Sequence, residues 1–177
     1  GNRPRFQYVL AQLYQHLGER EEARMAYTKV LKMQPSNEMD FNARLRLAQL
    51  TKSAADGVKQ LTKMAKLDKN KDVLDQIYGA IGDIYLAQND TAKALQNYEL
   101  AIEKSTQNGM AKANVLVVAG DIYYEQRNYV KASPCYKEAT QILSAEAEQY
   151  DRILHRSETL DELVVEYSTV QLQDSLQ

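Results

Sequence analysis

The 177-residue chain has no tryptophan, only two Phe, three Pro and seven Gly, and Cys135 is its one cysteine. A lone cysteine excludes an internal disulfide. With two histidines set far apart, His16 and His155, no cluster stands at the spacing of zinc ligands, so neither a metal nor a cofactor is expected. No stretch comes near the roughly 18 apolar residues of a membrane-crossing helix, so direct membrane insertion by these residues is not expected. No basic-then-apolar leader opens the sequence, which starts at "GNRPRF" and stops at "LQDSLQ" inside helical pattern and so reads as a fragment. Alternating runs of strand formers are missing too. Ala, Leu, Gln, Lys and Glu dominate, which favours an all-α fold.

What the sequence does contain is repetition. "GDIYLAQNDTAKALQNYELAI" from Gly82 returns as "GDIYYEQRNYVKASPCYKEAT" from Gly120, 38 residues later. The shared template is an apolar-small pair, Tyr three residues on, then Ala, Tyr and Ala: Ile81, Gly82, Tyr85, Ala94, Tyr98 and Ala101 in one copy, and Ala119, Gly120, Tyr123, Ala132, Tyr136 and Ala139 in the next. It also fits the N-terminus, at Leu10, Ala11, Tyr14, Ala23, Tyr27, Val30 and Pro35. A weaker copy lies between, at Leu45, Ala48, Gly57, Leu61 and Met64. Front anchors (Ala11, Leu45, Gly82, Gly120) and rear anchors (Ala23, Gly57, Ala94, Ala132) shift together by 34, 37 and 38, so the extra residues belong between repeats, in "KLDKNKD" and "KSTQNGM".

This pattern resembles the tetratricopeptide repeat (TPR) family, over about residues 3–143. The resemblance implies a TPR-type α-solenoid of about four helix-turn-helix repeats, near 4–37, 38–71, 72–108 and 109–145, with residues 144–177 adding a C-terminal helix that continues or caps it. Physical chemistry agrees: paired small residues let antiparallel helices approach closely, and a hairpin that cannot bury its apolar face alone must stack on the next.

Propensity and capping chemistry place helices near 4–17, 20–33, 38–51, 54–67, 72–88, 91–104, 109–126 and 129–143. Ser53, Asp90 and Asn128 cap second helices, and Asn37 and Asp72 first helices. Pro134 falls in a second turn, without an N–H and crowding the Val130 carbonyl, which predicts a kink or a loosened start. Beyond Leu143, Ile153, Leu154, Leu160, Leu163, Val164 and Tyr167 recur at helical spacing and predict one amphipathic helix with an acidic polar face. The rival is a helix starting at Thr159, with Glu162 completing a capping box.

"RSETLDELV" with "LQDSLQ", and the front segment "RFQYVLAQLYQHLGEREEARMAYTKVLKMQPSNEMDFNARL", are similar to the large TPR lipoproteins of Bacteroidetes attached to the type IX secretion and gliding machinery (the PorW/SprE group). That resemblance implies a scaffold among secretion components on the periplasmic side of the outer membrane of a Gram-negative bacterium.

No catalytic constellation is apparent, and a non-enzyme is expected. His16 suits a helix C-terminus, His155 stands in the plain context "RILHRSE", and Cys135 reads as packed. Asp83 and Asp121 recur because the repeat recurs, and "GAIGD" is helical by register, not a phosphate loop. Charge is polarised: residues 1–71 carry 14 Lys+Arg against 7 Asp+Glu, and residues 138–177 carry 2 against 9. Without aromatic interleaving, this does not point to nucleic acid. The expected partner is a protein or peptide.

In TPR proteins the first helix of each hairpin faces inward. Carried over, this predicts a groove floor that includes Tyr8, Gln12, Asn42 and Arg46, then Asp83 and Leu86, then Val117, Asp121, Tyr124 and Glu125. Its second half would offer exposed Leu86, Val117 and Tyr124 beside three carboxylates, fit for a segment bearing Lys or Arg with Tyr124 as anchor. Two alternatives stand beside it: the C-terminal helix folds over that strip, or the chain is a structural spacer that uses its ends and convex face.

Overall fold

The computed structural model describes residues 2–176, and among them it holds nine α-helices, one 3₁₀ segment and no strand. The helices are α1 Arg3–His16, α2 Arg20–Leu31, α3 Asn37–Leu50, α4 Ala54–Ala65, α5 Leu74–Ala87, α6 Thr91–Lys104, α7 Met110–Glu125, α8 Tyr129–Ile142 and α9 Tyr150–Asp174, with the 3₁₀ segment at Asp68–Val73. This is the all-α, TPR-type solenoid architecture. α1 to α8 start and stop within two residues of the expected ranges.

Three of the four hairpins turn in the same way. The second residue after the first helix is left-handed (Gly18 φ 77°, Asn89 φ 60°, Arg127 φ 58°). The next residue donates its N–H back to the carbonyl of the template tyrosine: Glu19 to Tyr14 at 2.9 Å, Asp90 to Tyr85 at 3.0 Å, Asn128 to Tyr123 at 2.9 Å. This six-to-one bond closes the first helix and aims the chain into the second. The weak copy departs here too. Thr51 is extended (φ −64°, ψ 147°), and Ser53 starts α4 by accepting from Asp56 N at 3.2 Å.

Asp90 and Asn128 accept from Lys93 N (3.1 Å) and Lys131 N (3.3 Å) as expected. Two other caps differ. Ser36, not Asn37, caps α3, because its extended backbone puts Oγ 3.3 Å from Met39 N while Asn37 is already helical. Asp72 lies inside the 3₁₀ segment instead of ahead of a helix. α8 runs unbroken across Pro134 and starts at Tyr129, so the start is not loosened: the Asn128 cap and a Lys131-to-Asn128 backbone bond of 3.2 Å secure its first turn. α9 is a single helix from Tyr150, which excludes the start at Thr159.

The chain divides into two compact units, Gly1–Lys71 with Ala80–Ala94, and Asp72–Gly79 with Leu95–Gln177; α5 and α6 contribute to both. In the first, Ala11, Ala23, Ala26, Tyr27, Val30, Ala43 and Leu50 form a buried cluster edged by Tyr8, Tyr14, Leu31, Met39 and Leu47. In the second, Leu116, Ala119, Ala132, Tyr136, Ala139 and Ile153 are buried where α8 packs against α7 and α9. A Cβ on Gly120 would stand 2.9 Å from the Tyr136 ring, so only glycine lets α7 approach α8 this closely. Each fully buried large side chain contributes about 1.5–3 kcal/mol, which is why these anchors outweigh modest helix propensity.

Candidate protein-interaction faces

In the first unit the polar residues of α1, α3 and the second half of α5 are tied to the tyrosine core. Tyr27, fully buried, donates its hydroxyl to Gln15 at 2.8 Å, and the Tyr8 ring meets it edge-on at 5.5 Å. Burial pushes the Tyr27 hydroxyl up to about 12, reinforced by Tyr8 and opposed by the nearby Arg46 charge. Arg46 donates to Gln49 at 3.2 Å, and Gln49 donates to Asp83 at 3.2 Å, a chain that crosses from α3 to α5. Gln12 is exposed on α1, Asn42 sits one turn before Arg46, and Leu86 is half-buried one turn after Asp83. Six of the ten expected groove residues therefore lie in this unit, on first helices, with Gln12 and Asp83 exposed and Tyr8, Asn42, Arg46 and Leu86 half-buried.

The second unit differs. Arg152 of α9 donates twice to the Asp121 carboxylate, at 2.8 and 3.1 Å, and Arg156 donates to it at 2.8 Å. The hydroxyl of fully buried Tyr136 donates to the same carboxylate at 2.6 Å, and the Arg156 guanidinium lies 4.3 Å from the centre of the Tyr124 ring. Burial works to raise the Asp121 carboxyl, but hydrogen bonds from Arg152 and Tyr136 and the charges of both arginines outweigh it and hold it below the usual range. Burial, then the bond to Asp121, pushes the Tyr136 hydroxyl above its ordinary value.

Two expectations are corrected here. Val117 is 6% exposed and belongs to the core, because α7 turns it toward packed neighbours. Tyr124 is half-buried and its ring face is taken by Arg156, so it is not an open anchor. Glu125 remains exposed. The strip does receive an amphipathic segment bearing arginine, with Asp121 as charge partner and Tyr124 beneath it, and that segment is the chain's own α9. Sequence reading missed Arg152 and Arg156, although they are the only Lys or Arg residues in the acidic stretch 138–177 and stand four apart. Cys135 is half-buried, and burial with the charges of Glu138 and Glu99 pushes its thiol up to about 11, which keeps it in the thiol form at neutral pH. Among the described residues, no His/Cys/Asp/Glu group could hold a metal ion, and no helix is long and apolar enough to cross a membrane.

Two tetratricopeptide-repeat family models match, one over residues 4–37 and one over 73–145, between them more than half of the chain. The chain carries tetratricopeptide repeats. Two crystal structures of MamA share the fold of this TPR chain. One aligns with TM-score 0.53 and 20% identity over 98% of this chain and 92% of that one; the other aligns with TM-score 0.51 and 18% identity over 90% and 97%. No curated protein matches the sequence.

The TPR tyrosines and the Asp121 cluster define a pH window. The lowered Asp121 carboxyl contributes stability that is present above its ordinary value of 3.8 and lost as pH falls through its folded value. The raised Tyr27 and Tyr136 hydroxyls contribute stability that is present below their ordinary value of 10.0 and lost as pH rises toward their folded values. Urea unfolding should therefore give a flat stability between about pH 5 and 9, falling outside it on both sides. A steady decline from neutrality to pH 5 would contradict the Asp121 assignment.

Proposed function

We propose that this chain is a non-catalytic scaffold that takes a partner protein segment along the first-helix face of its first unit, at Tyr8, Gln12, Asn42, Arg46, Asp83 and Leu86. One observation carries the reading: at the matching register of the second unit, Asp121 and Tyr124 of α7 are engaged by two arginines of α9, a helix that packs on α8, through arginine-carboxylate bonds and an arginine-tyrosine contact. Helix-in-groove binding anchored by one or two charged pairs is a common mode of peptide recognition. The partner for the first unit is a segment that offers a carboxylate to Arg46, a Lys or Arg to Asp83, and apolar contact to Tyr8 and Leu86.

The setting we propose is a secretion assembly on the periplasmic side of the outer membrane. The similarity of "RSETLDELV" and of the N-terminal segment to type IX secretion TPR lipoproteins supports it. The test is capture from a native envelope extract with wild-type chain and the double variant Tyr8→Ala/Arg46→Glu, checked for unchanged circular dichroism. Recovery of the main partners should fall at least about tenfold, as expected on losing an aromatic and a charged anchor together. An unchanged partner list would overturn the reading, and partners found only in cytoplasmic extract would overturn the setting.

A further inference from the structure

α9 outlasts the surface it packs on. It has 25 residues against 14 in α8, so about 16 Å of helix, at 1.5 Å per residue, runs past its support. Its first half is anchored by buried Ile153, Ser157 and Leu160, and by Asp161 against Lys137 at 3.0 Å and Ser133 at 3.3 Å. After Leu160 no described residue is buried, yet the same stripe continues at helical spacing through Leu163 (45% exposed), Tyr167 (56%) and Val170 (54%). From Glu158 onward this helix carries Glu158, Asp161, Glu162, Glu166 and Asp174 and no basic residue.

α1 has the complementary make-up. Phe6 (73%), Val9 (56%), Leu10 (39%), Leu13 (52%) and Leu17 (64%) form an exposed apolar stripe, also about 16 Å long from Phe6 to Leu17. Beside it stand exposed Arg3 and Arg5, and residues 2–18 contain no carboxylate.

We propose that the occupant of the α1 face is the C-terminal half of α9 from a second copy of this chain. The α9 stripe, about 10 Å from Leu163 to Val170, fits within that of α1, extends an interface the chain already uses on α8, and carries opposite charge with no like-charge conflict. The contact is heterologous, since one copy presents α1 and the next presents α9. It does not depend on the groove reading, because none of the proposed groove residues takes part.

The test is sedimentation of the 177-residue chain over roughly 1–200 µM, where a contact of this size should associate measurably. The wild type should self-associate with concentration. The variants Arg3→Glu/Arg5→Glu and Glu162→Lys/Glu166→Lys, all at exposed positions that leave the fold intact, should each weaken association at least about tenfold. An equimolar mixture of the two should recover it to within about threefold of wild type, because the reversed α1 face then meets the reversed α9 face and the two unreversed faces also pair. A chain monomeric throughout the range overturns the proposal. So does either reversal leaving association unchanged, which would indicate α1-to-α1 or α9-to-α9 pairing, or a mixture that fails to recover it.

Discussion

Asp121→Arg is expected to cost the second unit about 3 kcal/mol and to free α9 from its support, because four donated bonds converge on this one carboxylate. The substitution removes the acceptor of Arg152, Arg156 and the Tyr136 hydroxyl and sets a third guanidinium beside the first two. Breaking a buried pair typically costs 3–5 kcal/mol; the Asp121 side chain is 32% exposed, so the lower end applies. Ile153 and Leu160 oppose release, at about 1.5–3 kcal/mol each for fully buried aliphatic side chains. α9 should therefore remain helical in part but open far more often. The readout is amide exchange: protection over Ile153–Leu163 should fall about a hundredfold, while that of α7 and α8 falls much less, since 1.4 kcal/mol is a tenfold change. Asp121→Asn, which keeps an acceptor, should cost only about 1 kcal/mol. Unchanged α9 protection in Asp121→Arg would show that apolar packing alone holds the helix.

Gly57→Val should destabilise the first unit by about 3 kcal/mol, against what local propensity predicts. In an exposed helix, replacing Gly with a residue carrying a Cβ gains up to about 1 kcal/mol. At Gly57 an added Cβ would press into the Ala48 carbonyl oxygen, closer than side chains ever come, and would stand 3.1 Å from both Ile84 Cδ1 and Thr51 Cγ2. The obstacle is backbone, so relief requires α4 to move off α3, and overpacking of this kind costs about 1–3 kcal/mol for the first atom alone. The clash outweighs the propensity. Gly109→Ala gives the contrast: nothing lies within 4 Å of its position, so it should lose only the helix-cap preference of Gly over Ala at the start of α7, at most about 1 kcal/mol in urea. Equal midpoints for Gly57→Val and wild type would show that α3 and α4 are not held at this spacing.

The helices and their caps were legible because they are written within a turn or two of chain. Helix propensity, the 34- to 38-residue period and the side-chain acceptors at Ser53, Asp90 and Asn128 act over distances that a linear pattern encodes. Gly57 and Gly120 appeared in sequence as small anchors for the same reason. Ser36 was misread as Asn37 because the choice between adjacent caps turns on one residue's backbone angles, which composition does not express. The face of each unit was legible only in part. Tyr8, Gln12, Asn42, Arg46, Asp83 and Leu86 occupy first helices, where the repeat register puts them. Val117 and Tyr124 have the same register, but their exposure depends on neighbours that no period predicts. Asp121 meets Arg152 and Arg156 across 31 and 35 residues, and that pairing exists only because Leu143–Gln149 turns α9 back along α8. The apolar stripe of α9 was visible in full. Which half is covered was decided by the length of α8, since burial is a property of two surfaces and a sequence shows one at a time.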